Sequence, residues 1–132
     1  MESAGGTTRW PVELRLKKAE KLLEISFDDR SSFRLPAEYL RVESPSAEVQ
    51  GHGPGQRTLV AGRAHVGIIG LEPVGNYAVR VIFDDLHDTG IFSWSYLHQL
   101  GVEYEERWRA YVAAIAADGL SREPQRATSG IT

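Results

Sequence analysis

The feature that most constrains this chain is an internal echo. Leu23-Glu24-Ile25-Ser26-Phe27-Asp28-Asp29, followed by Phe33-Arg34-Leu35-Pro36-Ala37-Glu38-Tyr39-Leu40, is answered by Val79-Arg80-Val81-Ile82-Phe83-Asp84-Asp85, followed by Ile91-Phe92-Ser93-Trp94-Ser95-Tyr96-Leu97. In each stretch, alternating apolar residues predict a strand, because successive side chains point to opposite faces. The paired aspartates predict a turn, since their carboxylates bond nearby backbone N–H groups. A second short strand and a short helix complete each unit. Two copies fall short of the roughly three that a solenoid needs. They predict instead a single α+β domain of mainly antiparallel strands, with short helices, a C-terminal helix and pseudo-twofold character.

The remaining elements fit around this frame. Val12, Leu14 and Leu16 predict a strand over 12–16, ahead of a polar turn at 17–21. Further strands are expected at 65–71 and 76–83, with Gly70 at a bulge and Gly75 in a turn. Ser93 is placed to cap a helix over 94–100 that stops at Gly101. A last helix over 105–117 carries Trp108, Tyr111, Val112, Ile115 and Ala116 as an apolar stripe and ends at Gly119. Residues 43–63 form a long polar segment rich in proline and glycine. Such length implies a binding loop, a flap, or a hidden strand near 58–61. Residues 1–9 and 121–132 have little to bury and read as flexible tails, leaving a compact domain over 10–120.

Composition narrows the function. A chain of 132 residues fits one domain with its own core. With no cysteine, it has neither disulfides nor thiolate metal sites. A net charge of −3 offers no basic field for nucleic acid or anionic lipid. The apolar runs are too short for a membrane span, and the N-terminal residues lack the apolar core of a secretory signal, so a cytoplasmic protein is expected.

Candidate chemistry is sparse. Asp84, Asp85, His87 and Asp88 form the densest group of metal-capable side chains, and carboxylates with a histidine suit Fe(II) or another divalent ion. Adjacent aspartates on a turn point apart, however, which favours a solvated structural turn. His98 lies on a short helix from which it could face His87, while His52 and His65 read as isolated histidines. Gly51-His52-Gly53-Pro54-Gly55 lacks the lysine and hydroxyl ending of a phosphate-binding loop, and Gly67-Ile68-Ile69-Gly70 lacks a dinucleotide fingerprint. No serine sits in a nucleophile elbow. Arg41 is expected to cap the carbonyls of the first helix, and Arg80 to pair with an acidic-turn aspartate. Trp94, Tyr96, Trp108 and Tyr111 read as core aromatics, with part of the set a possible partner patch.

Two long stretches carry a family resemblance. Leu35-Pro36-Ala37-Glu38-Tyr39-Leu40-Arg41 with Ser44-Pro45-Ser46-Ala47-Glu48-Val49 is one. Gly75-Asn76-Tyr77-Ala78-Val79-Arg80 with Phe83-Asp84-Asp85, His87-Asp88-Thr89-Gly90-Ile91-Phe92-Ser93-Trp94 and Tyr96-Leu97 is the other. Both resemble hallmarks of the gamma-butyrobetaine-hydroxylase-like N-terminal domain, over about residues 11–111. The resemblance implies a mixed fold around antiparallel strands, without the oxygenase barrel that such domains precede in carnitine-pathway enzymes. Other relatives are fused to P-loop ATPases of iron–sulfur cluster assembly. The eukaryotic oxygenases look to hold zinc here with three cysteines and a histidine. Those positions fall on Ser44, Ser46, Val49 and His87, so the resemblance brings no zinc site with it. Many relatives also have glycine where this chain has Leu86.

These readings converge on a non-catalytic accessory or interaction domain. Its expected partners are an iron–sulfur assembly ATPase or an oxygenase, and no cofactor is expected. The alternative is a small metal-binding protein using Asp85, His87 and Asp88 to hold Fe(II) or another divalent metal.

Overall fold

The structure is a computed structural model and describes residues 10–50 and 59–124. Two three-stranded antiparallel sheets form its frame. The first is β1 (Pro11–Lys17), β2 (Leu22–Phe27) and β3 (Ser32–Pro36), in that order. It runs into α1 (Ala37–Val42) and a single turn of helix, α2 (Ala47–Gln50). The second is β4 (Ile68–Val74), β5 (Ala78–Phe83) and β6 (Gly90–Ser93), followed by α3 (Trp94–Val102) and α4 (Tyr104–Ala117).

The two units match closely. Leu14 pairs with Ile25 and Leu71 with Val81. Both outer strands slip register near their start, between Pro11 and Glu13 in one and between Ile68 and Gly70 in the other. Both acidic turns hold a non-glycine residue at positive φ, Arg30 at 72° and Leu86 at 73°. The Asp29 carboxylate accepts from the Ser31 N–H, and the Asp85 carboxylate from the His87 N–H. Leu86 therefore takes the backbone conformation that glycine favours, and the turn keeps its shape. Ile25 pairs with Phe33, but its counterpart Val81 pairs with Gly90, so the second turn carries one extra residue.

The inner faces of both sheets meet in one core. Leu23, Ile25, Phe27, Leu35, Tyr39, Leu40, Val81, Phe83, Phe92, Leu97 and Leu100 are all buried there. All but Leu100 are apolar positions of the two echoing stretches, those on the strands falling as alternation requires. A smaller cluster of Val42, Tyr111 and Ile115 fastens α4, with Trp108 half-buried beside it. Val112 is 39% exposed and Ala116 also faces solvent, so the stripe on α4 is narrower than its sequence suggests. Among the described residues, α1 and the 59–60 segment cover that helix in the smaller cluster.

Other boundaries depart from expectation. The fourth strand starts three residues later than predicted, because Val66 N–H closes a turn onto the Arg63 carbonyl. It runs through Pro73, which an edge strand tolerates. The long polar segment contains α2, and residues 59–61 form no strand. The Gly51-His52-Gly53-Pro54-Gly55 loop lies outside the described residues. Gly101 does not stop α3 but lies within it, where a Cβ would come 2.4 Å from Phe33 Cγ. Gly119, at φ +69°, does end α4, with Leu120 N–H bonded to the Ile115 carbonyl.

The domain also extends past Leu120. Ser121 and Arg122 carbonyls accept from Gly62 and Ala64 N–H groups at 2.8 Å each, so residues 121–124 dock rather than trail. The expected tails over 1–9 and from 125 onward lie outside the described residues.

Candidate functional site

The two units hold each other by exchanged side chains. Tyr39, third residue of α1, donates its hydroxyl to the Leu100 carbonyl of α3 at 2.7 Å. Tyr96, third residue of α3, donates to the Glu43 carbonyl just past α1 at 2.6 Å. The fifth residue of each helix reaches the other unit's acidic turn. Arg41 Nε donates to Asp85 Oδ2 at 2.9 Å, and His98 Nε2 shares a 2.9 Å hydrogen bond with Asp29 Oδ2. His98 therefore faces Asp29 and not His87, between the edges of Phe27 and Phe33.

Two expectations about arginine are corrected here. Arg41 does not cap its own helix; buried among the elements, it turns its Nε to the Asp85 carboxylate instead. Arg80 does not reach an acidic turn. It lies across from Glu72 on the neighbouring strand, 3.4 Å away.

Around Asp85 and His87 the second unit departs from the first. Asp85 Oδ2 also accepts from Arg63 Nε at 2.7 Å. Burial alone would raise the Asp85 carboxyl. The Arg41 and His87 hydrogen bonds and the two guanidinium charges outweigh it and hold the group below its ordinary value. His87 is 5% exposed, and its Nε2 faces two serines of the segment after α1. Ser44 Oγ lies at 2.9 Å and Ser46 Oγ at 3.4 Å. Val49 is buried on α2, whose first turn is closed by its N–H bonding the Ser46 carbonyl. Gly90 completes the wall, because a Cβ there would stand 2.7 Å from Ser44 Oγ.

The structure thus brings Ser44, Ser46 and His87 into direct contact, with Val49 buried on the adjoining turn. The donor set does not fit zinc. Two hydroxyls at hydrogen-bond distance from the imidazole occupy the place of thiolates, and valine offers no donor at all. Asp85, His87 and Asp88 do not converge either. Asp85 is bound to two guanidinium groups, and Asp88 is exposed. Among the described residues no three His, Cys, Asp or Glu side chains are grouped to hold a metal ion. A serine beside an imidazole is also a nucleophile–base pair in form. With Ser44 fully buried, no substrate atom can reach it.

Sequence reasoning missed the gripping of Asp85 by Arg41 and Arg63, and the tyrosine exchange. The Tyr-Leu pair present in both units was the available signal for the tyrosines. It also missed a third polar cluster, where Arg122 forks onto the buried Glu38 carboxylate at 2.8 and 2.9 Å.

Fold and buried contacts together define a small α+β domain of two interlocked strand–turn–strand–helix units. The chain belongs to the gamma-butyrobetaine hydroxylase-like N-terminal family, whose model matches residues 14–98. It is similar to two proteins solved in solution by NMR. One is 45% identical, covering 92% of this chain and 95% of that one, with a TM-score of 0.78. The other is 46% identical over 90% and 89%, with a TM-score of 0.77. A crystal structure of a protein of unknown function from Acidithiobacillus ferrooxidans, of the DUF971 family, is 38% identical over 69% and 91%, with a TM-score of 0.59. Among curated proteins, none matches the chain. No helix among the described residues is long and apolar enough to cross a membrane.

Proposed function

We propose that this chain is a non-catalytic interaction domain of the cytoplasm, assisting iron–sulfur cluster assembly or an oxygenase partner. The observation that carries this reading is a difference between the two sheets. Each unit serves as a control for the other, because their registers correspond. On the outer face of the first sheet Glu13, Arg15, Glu24, Ser26, Ser32 and Arg34 line one shallow polar groove, and Arg34 bonds Glu24 at 3.1 Å. The corresponding positions on the second sheet include Ile82 in place of Ser26 and Ile91 in place of Arg34. Ile91 is 41% exposed. The second face keeps the Glu72–Arg80 pair beside these isoleucines, so two equivalent scaffolds with unlike surfaces support a docking role for the less polar one.

The partner classes come from the fusions that relatives carry, which is an analogy of family and not of site. The test is isothermal titration of the purified protein against a purified iron–sulfur assembly ATPase and an oxygenase from the same cell, wild type beside Ile91→Asp. Binding to one of them, weakened at least about tenfold by the buried charge, is expected. Binding to neither, or equal binding by the variant, overturns the reading. The metal-binding alternative requires Asp85 to leave both arginines, and no contact in the site favours it.

A further inference from the structure

The cluster around Glu38 has the chemistry of an arginine receptor. Glu38 lies on α1 with its side chain only 7% exposed. Arg122 Nε and Nη2 meet its two carboxylate oxygens at 2.9 and 2.8 Å. The same guanidinium lies over the Trp108 ring, its carbon 5.2 Å from the centroid. Tyr104, Tyr39 and Tyr111 pack against that indole and fix its plane. A carboxylate fork beside an aromatic face selects a planar, bidentate cation, which is arginine and not lysine.

The backbone of the bound segment is read as well. Gly62 and Ala64 N–H groups, two residues apart, donate to successive carbonyls of Ser121 and Arg122. His65 Nε2 shares a 2.8 Å hydrogen bond with Glu123. The segment is held in a bent form, with Glu123 N–H turned back onto Ser121 Oγ at 3.0 Å.

The segment that fills the site is weakly anchored. Residues 121–124 are all exposed, and Arg122 keeps 45% of its side chain in solvent. No apolar side chain of this strap is buried, so it belongs to the readily opened part of the molecule. The receptor is the opposite, with a buried carboxylate that is costly to leave without a cation. We propose that Glu38, Trp108 and the 62–65 backbone form a binding site for a short, bent, arginine-bearing segment of a partner protein, with residues 121–124 as the internal occupant that this segment displaces. The site deepens the interaction-domain reading and rests on it.

The experiment uses the full chain carrying Arg122→Ala, which empties the pocket, and a capped synthetic peptide Gly-Leu-Ser-Arg-Glu-Pro. Isothermal titration compares it with the same peptide bearing citrulline, a neutral isostere, in place of arginine. The arginine peptide should bind the variant at least about tenfold more tightly than the citrulline peptide. It should also bind the variant more tightly than it binds wild type, where Arg122 competes. Adding Glu38→Gln should abolish the discrimination. Equal binding of both peptides, or of neither, overturns the proposal. If Arg122→Ala does not fold, Arg122→Lys opens the fork while keeping a cation, and the same comparison applies. Failure here removes this site alone, since the Ile91→Asp comparison tests the interaction-domain reading on a different face.

Discussion

Alanine at Gly101 tests the packing of the two units against each other. In the interior of an exposed helix, glycine to alanine stabilises by about 1 kcal/mol, because alanine loses less backbone entropy. In this fold the new methyl would lie 2.4–2.6 Å from Cγ, Cδ1 and Cδ2 of Phe33. That ring cannot swing away freely, since Phe27 and His98 meet it edge-on with centroids 6.1 and 5.5 Å away. Overpacking of this kind costs about 1–3 kcal/mol. The net expectation is a destabilisation of up to about 2 kcal/mol, read in urea as a midpoint lowered by up to roughly 1 M. Phe33→Ala should reverse the sign. With the ring gone, alanine at 101 should stabilise by about 0.5–1 kcal/mol, and the coupling energy in the double-mutant cycle should equal the overpacking cost of about 1–3 kcal/mol. A left-handed glycine stop would instead make alanine destabilising in both backgrounds. Additive effects in the cycle would refute the contact.

Three further outcomes are expected. Elemental analysis of protein purified without added metal should find no stoichiometric zinc, whereas Ser44→Cys/Ser46→Cys/Val49→Cys should gain about one zinc per chain, lost again with His87→Ala; zinc in wild type would refute the hydrogen-bonded reading of the site. Asp85→Asn should cost about 2–3 kcal/mol at neutral pH, a buried ion-pair loss discounted for partial exposure. Because the folded Asp85 carboxyl lies below its unfolded value, its contribution is present above about pH 4 and lost as pH falls through the folded pKa, so wild-type and variant stabilities should converge in acid. Leu86 is 91% exposed at φ 73°, so Leu86→Gly should stabilise by about 0.5 kcal/mol through relief of strain, and Leu86→Val should destabilise; urea midpoints moving the other way would refute the turn conformation.

The doubled frame was legible because each unit writes its strands as alternation and its turn as paired aspartates. The core followed from the same positions, as Ile25, Phe27, Val81 and Phe83 illustrate. Side-chain partners were legible only where they are local. Ser93 caps the helix that it precedes, with its Oγ accepting from Tyr96 N–H at 3.1 Å. Arg41 finds Asp85 from 44 residues away, and Arg122 finds Glu38 from 84, distances over which spacing carries no signal. Gly101 misled for another reason. Glycine near a helix end usually supplies a left-handed conformation, but here it supplies room for a ring from the other unit.

The exchange of side chains between the units also bears on how the chain folds. The bonds Tyr39 to Leu100, Tyr96 to Glu43, Arg41 to Asp85 and His98 to Asp29 span 61, 53, 44 and 69 residues. None can form until both halves of the chain have been brought together, so loop-closure entropy is spent before any of them contributes. The arrangement is that of an isologous dimer interface tied within one polypeptide. A half standing alone would keep Tyr39 or Tyr96 without its acceptor and half of the core in water. Folding is therefore expected to be a single slow, all-or-none event, with hydrogen exchange at both acidic turns reporting the same global opening.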